Sequence, residues 1–223
     1  MVQPADGPRL RIVVRTVALV AAIYVAWIGA WLLKESLDKH TAWSLTQAGG
    51  FAYWTAMKLL LWIVPAFVLT RLSSRSIRDV LGLSHWRRAV LWGGGAGLVL
   101  GLLSLATKAI QHRPLLSVSL TCPCFSAVVI APVSEEFLFR GAVLGALMRR
   151  YRFATANLIT AILFVGIHLP GWWFQGRLWQ NLASPVSGAL AILLLGMLFG
   201  LVTHKSRSLL AGILAHGLNN FFG

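Results

Sequence analysis

Ionisable side chains are scarce inside the apolar stretches of this 223-residue chain, and those that occur there are candidates for chemistry. They are Lys58, the run Glu135-Glu136-Phe-Leu-Phe-Arg140, His168 and His216, the last followed by Asn219 and Asn220. On a helix Glu136 and Arg140 are i,i+4 neighbours, in the better orientation for an ion pair, whereas Glu135 points about 100° away. Glu135 therefore has no cation on its own helix and is free to serve as a general base. Phe164 lies one turn before His168, and His216 and Asn220 again share a helical face, where an amide can orient the imidazole or donate to a developing oxyanion. Lys58 reads as a lysine that snorkels or pairs with a carboxylate. A carboxylate, two imidazoles and an amide supply what hydrolysis of an amide requires: a base for water, a proton carrier for the leaving amine, and oxyanion donors. Taken alone, the Glu-Glu-x-x-x-Arg cluster fits a buried ion network or a transport path equally well.

Helices in a membrane are the elements that must position these groups. The chain is 57% hydrophobic and only 12% charged, with a mean hydropathy of +0.74, which excludes an ordinary water-soluble globule. Apolar runs at roughly Thr16–Leu33, Phe51–Thr70, Ala89–Thr107, Leu115–Met148, Phe153–Leu169, Leu182–Thr203 and Ser208–Phe222 predict an all-α, polytopic transmembrane bundle of about seven helices, within a range of 6–8. The first run is too long for a signal-peptide core and reads as an uncleaved span. The fourth exceeds one crossing and must be tilted or broken near Pro132, and the last is short enough to be re-entrant. Along helices Glu135 lies about 21 Å from Arg149, His168 about 24 Å from Arg152, and His216 about 13.5 Å from Arg207, so all three can meet below the membrane surface.

The net charge of +14 could suggest nucleic acid as a partner, but position decides otherwise. Lys and Arg fall in the short segments between spans, and 13 of the 20 fall on alternate segments that include the N-terminus. That asymmetry predicts a cytoplasmic N-terminus and no nucleic-acid partner. Glycines spaced by four, Gly93/Gly97/Gly101, Gly141/Gly145 and Gly196/Gly200, predict close helix packing. The tryptophans near span ends, and Trp172, Trp173 and Trp179 after His168, read as interfacial anchors, with a hydrophobic lid as the alternative for the latter three. Cys122 and Cys124 read as small buried hydrophobes rather than a redox pair.

In order, Glu135-Glu136-x-x-x-Arg140, Phe164-x-x-x-His168 and His216-x-x-x-Asn220 resemble the three motifs of the CPBP intramembrane endopeptidases, the CAAX protease and bacteriocin-processing (Abi) family. The resemblance covers residues 115–223 as a catalytic helical core, while residues 1–114 form N-terminal transmembrane helices without a recognised motif. It implies an intramembrane endopeptidase in which Glu135 and His168 activate water, His216 and Asn220 stabilise the oxyanion, and Glu136, Arg140 and Phe164 support the site. Two schemes are open: a catalytic zinc held by Glu135, His168 and His216, or a metal-free glutamate-type site, and no His-Glu-x-x-His motif decides between them. The expected partners are the lipid bilayer and a membrane-associated protein or peptide cut near its C-terminus or anchor: a prenylated CAAX tail, a bacteriocin leader or a C-terminal sorting signal. A bacterial inner membrane is the expected location. A transporter or proton relay, and a non-catalytic immunity or scaffold protein, are the competing classes.

Overall fold

The computed structural model describes residues 7–73, 76–115 and 121–223, with side chains from residue 10 onward. Long runs of Leu, Ala, Val and Ile without charges leave the backbone no partner in lipid but itself, which selects helices. Seven principal helices result: α1 (Gly7–His40), α2 (Gln47–Leu72), α3 (Ile77–Ile110), α4 (Cys122–Leu147), α5 (Phe153–Phe174), α6 (Ala189–Ser206) and α7 (Leu209–Phe222). The first six are long and apolar enough to cross a membrane, and α7 is shorter. Short helices at Ala42–Leu45 and Leu178–Ala183 lie in the connections. The chain is an integral, multi-pass membrane protein, and exposed Val25, Leu91, Leu102 and Leu194 face outward as a lipid-contacting surface would require.

Most helices extend beyond the apolar windows that predict them, because hydropathy detects the lipid-crossing part rather than the helix. Thus α1 continues past Lys34, whose ammonium pairs with Asp38 one turn on, and α3 begins at Ile77, where Ser76 caps the backbone N–H of Asp79 at 3.0 Å. The expected start of the fourth span falls partly on residues 116–120, outside the described residues, and α4 itself begins at Cys122. Its proline breaks nothing. The turn at Ser126–Ile130 widens to π-helical spacing just before Pro132, and Leu59–Ile63 does the same before Pro65. A widened turn accommodates the missing N–H and the bulk of the ring at each site.

One buried core joins both halves of the chain, from Ile12, Trp27 and Leu69 to Phe139, Phe164 and Leu209. Glycines set how closely its helices approach. A Cβ at Gly93 would lie 2.4 Å from the Ala211 carbonyl oxygen, and at Gly97 and Gly101 it would meet the side chains of Leu218 and Phe222 at 2.5 Å, so α3 seats α7 along this stripe. Gly200 gives room to Asn157, whose amide donates to the Met197 carbonyl at 2.9 Å and ties α5 to α6. Cys122 and Cys124 are free thiols and half-buried, not fully buried as expected.

Candidate active site

Glu135 and Glu136 lie on α4 immediately before a second π-helical stretch, Phe137–Val143. A π-bulge rotates the residues that follow it, a device common at functional sites. Even so, Arg140 remains one turn from Glu136, and its Nη1 donates to Glu136 Oε1 at 2.8 Å with neither side chain exposed. Arg140 Nη2 donates to the Gly196 carbonyl at 2.8 Å, and the guanidinium lies 4.3 Å from the Phe164 ring centroid. Glu136 Oε1 also receives His216 Nδ1 at 2.9 Å, while Phe199 stacks on the His216 imidazole at 4.8 Å. This network spans α4, α5, α6 and α7, and its charges are matched where water is absent.

Glu135 turns away from that network, as the helical geometry requires. Lys58 Nζ, on α2, donates to its Oε1 at 3.3 Å, and His216 Nε2 lies 3.9 Å from its Oε2. Lys58 thus takes the pairing alternative. Glu135 lacks a cation on its own helix but has one across the helix interface, 77 residues away in sequence. His168 Nδ1 lies 2.7 Å from the Phe164 carbonyl. A carbonyl only accepts, so Nδ1 carries the proton and Nε2 keeps a lone pair. Phe164 therefore supports the site twice, through its carbonyl on His168 and its ring under Arg140.

Glu135, Lys58 and His168 line one cavity of about 330 Å³, together with Ser126, Gln175 and an aromatic wall of Trp27, Trp31, Trp54, Trp62 and Trp172. Here the expectation of interfacial anchors is corrected for Trp31, Trp54 and Trp172, which line the cavity beside the mid-span Trp27 and Trp62. Trp27 and Trp62 are 5% and 3% exposed, packed with Trp54 into one cluster at centroid distances of 4.5 and 5.3 Å. Trp172 belongs to the same wall, while Trp173 and Trp179 are 64% and 75% exposed. Only the burial of this wall was hidden from the sequence; the tryptophans themselves are conspicuous in α1 and α2. Asn220 stands apart from the cavity, its amide donating to the Ala127 carbonyl at 2.9 Å and fastening α7 to α4.

The residues do not fit a zinc site. Among the described residues no group of three or more His, Cys, Asp and Glu side chains is arranged to hold a metal ion. Glu135 Oε1 faces an ammonium at 3.3 Å. A cation on a would-be ligand atom repels a second cation. The arrangement suits instead a water held between two acceptors, the Glu135 carboxylate and His168 Nε2.

The family described as type II CAAX prenyl endopeptidase Rce1-like matches residues 117–222, which contain all seven motif positions. An Escherichia coli protein described as an uncharacterized 24.3 kDa protein is 28% identical over 161 residues. That match covers 70% of this chain and 66% of the relative's length, just under two thirds. No solved structure matches. Residues 117–222, just under half of the chain, carry the buried Glu136–Arg140–His216 network together with Glu135 and His168 of the cavity, and over them the chain is similar to the Rce1-like type II CAAX prenyl endopeptidases.

Proposed function

We propose that this protein is an intramembrane endopeptidase that hydrolyses a peptide bond near the C-terminus or membrane anchor of a membrane-associated protein. The observation that carries the reading is the shared cavity of Glu135 and His168, one carboxylate and one imidazole lone pair facing the same space, both within the matched residues 117–222. A water that donates one proton to Glu135 and the other to His168 Nε2 keeps its own lone pairs for the scissile carbonyl. Glu135 takes the proton as the bond forms and returns it to the leaving amine.

The Lys58 ammonium lies beside Glu135 and offsets the negative charge of the tetrahedral intermediate. Glu136 holds His216 through Nδ1, leaving its Nε2 edge toward Glu135. Asn220 spends one of its two amide N–H groups on the Ala127 carbonyl and in this arrangement acts as the tie that keeps α7 against α4. No step needs a metal.

The tryptophan wall suits an apolar substrate segment, and a prenylated CAAX tail is the form suggested by the family description. The excess of Lys and Arg on alternate loops supports a cytoplasmic N-terminus, in a bacterial inner membrane. The test is incubation of detergent-purified protein with lipidated and unlipidated C-terminal peptides, followed by mass analysis of the products. Cleavage at one internal bond by wild type and none by His168→Ala supports the reading. Intact peptides throughout, with flux of ions or protons in vesicles, would support the transport class instead.

A further inference from the structure

A second cavity, of about 470 Å³, opens where α3, α4, α6 and α7 reach one end of the bundle. Asp79, Arg140, Met148, His204, Lys205 and Arg207 contribute to its wall, as do Ser208 and Leu209 at the start of α7. Arg140 is the inner limit of this space. It is 3% exposed, its two terminal nitrogens serve Glu136 and Gly196, and its Nε has no hydrogen-bond partner. Lys205, Arg207 and Asp79 form no ion pair among the described residues.

Three further observations give this space a chemical preference. With Arg140 offset by Glu136, the charges left unpaired are two cations, Lys205 and Arg207, against one carboxylate, Asp79, so the cavity is electropositive. α7 begins in its wall with Ser208 and Leu209, and no side chain caps the first turn, because the Ser208 hydroxyl donates away to the Leu81 carbonyl at 2.9 Å. Uncapped N–H groups and the helix dipole together favour an anion. The corner is also held in shape: Arg207 is a non-glycine residue at φ +59°, and Gly82, at φ +59° too, packs against its carbonyl so closely that a Cβ there would lie 2.2 Å from that oxygen. Guanidinium forks and helix N-termini match phosphate oxygens better than they match a single carboxylate. The cavity sits among the ends of α3, α4, α6 and α7, and the ends of membrane-spanning helices are where lipid headgroups are met.

We propose that this cavity binds a phosphate group, supplied by the headgroup of an anionic phospholipid or by free phosphate. The site is distinct from the tryptophan-walled cavity, and the two share no lining residue. It does not depend on the proteolytic reading, since binding is measured without a substrate.

The experiment titrates the purified full chain with phosphatidylglycerol, with phosphatidylcholine and with inorganic phosphate, counting bound ligand by native mass spectrometry and following thermal melting in parallel. Wild type is expected to bind phosphatidylglycerol at least about tenfold more tightly than phosphatidylcholine, with the preference weakening as salt rises. The double variant Lys205→Gln, Arg207→Asn is expected to lose about tenfold in phosphatidylglycerol affinity; asparagine tolerates the left-handed backbone at 207. Asp79→Asn removes the opposing charge and is expected to tighten binding a few-fold, a gain that a misfolded protein would not show. Inorganic phosphate that displaces the lipid identifies free phosphate as a source, and failure to displace it identifies the headgroup; both assign a phosphate to the cavity. Equal affinity for the two lipids, or a double variant with undiminished preference, overturns the proposal.

Discussion

Replacing Glu136 by glutamine tests the buried network at its centre. The change preserves shape and removes one charge from a side chain that is 0% exposed and accepts both Arg140 Nη1 at 2.8 Å and His216 Nδ1 at 2.9 Å. What remains for Arg140 is the Gly196 carbonyl and the faces of Phe164 and Phe199. Those contacts exist before and after the substitution, so they offset none of the loss. Breaking a buried pair from one side costs about 3–5 kcal/mol, chiefly because the surviving charge stays buried. For a chain of this size each kcal/mol moves the melting midpoint by about 2–4 °C, so Glu136→Gln is expected to melt roughly 6–20 °C below wild type. Thermal melting in one fixed detergent reads this directly. The double variant Glu136→Gln, Arg140→Met leaves no buried charge in the pair and is expected to recover much of the loss. A single variant within about 2 °C of wild type, or a double variant melting below the single, would refute the reasoning.

Other outcomes follow from the same geometry. Lys58→Met is expected to lower the cleavage rate by about tenfold to a hundredfold, with partial rescue by Lys58→Arg, because the cation beside Glu135 is lost; steady-state kinetics on both variants checks this. Gly93→Val places a Cβ 2.4 Å from the Ala211 carbonyl oxygen, and melting should show a loss of at least about 1–3 kcal/mol as α7 is pushed off α3. Millimolar chelator should leave the cleavage rate unchanged, since the residues around Glu135 do not fit a metal; a rate restored only by added zinc would contradict that.

The parts of the site legible in the sequence are those governed by a single helix. The Glu136–Arg140 pair follows from i,i+4 spacing alone, and so does the divergence of Glu135 from it. Both survive the π-helical stretch that begins at Phe137. Glycine spacing likewise identified the α3 stripe, because a repeat of four records how closely a neighbour approaches even when the neighbour is unknown. Properties that depend on which helices meet were not legible. The Lys58–Glu135 pair joins α2 to α4 across 77 residues, and no local pattern selects that partner among the available carboxylates. Trp31 and Trp54 look like interface residues by position, yet they line the cavity because α1 and α2 pack over α4 and α5. Asn220 shares a face with His216 as the spacing requires, but that face meets the Ala127 carbonyl and not the cavity. The length of α1 was underestimated because Lys34 and Asp38 pair within a turn and let the helix run on past its apolar window.

The most direct test of the central claim is the cleavage rate of Glu135→Gln measured beside its melting midpoint. Glutamine keeps the shape and removes the basic carboxylate, so the account predicts a rate lower by at least about a hundredfold with folding retained, since Glu135 borders a cavity and Glu136 carries the buried pair. A folded Glu135→Gln protein that cleaves at the wild-type rate would contradict the assignment of Glu135 as the base.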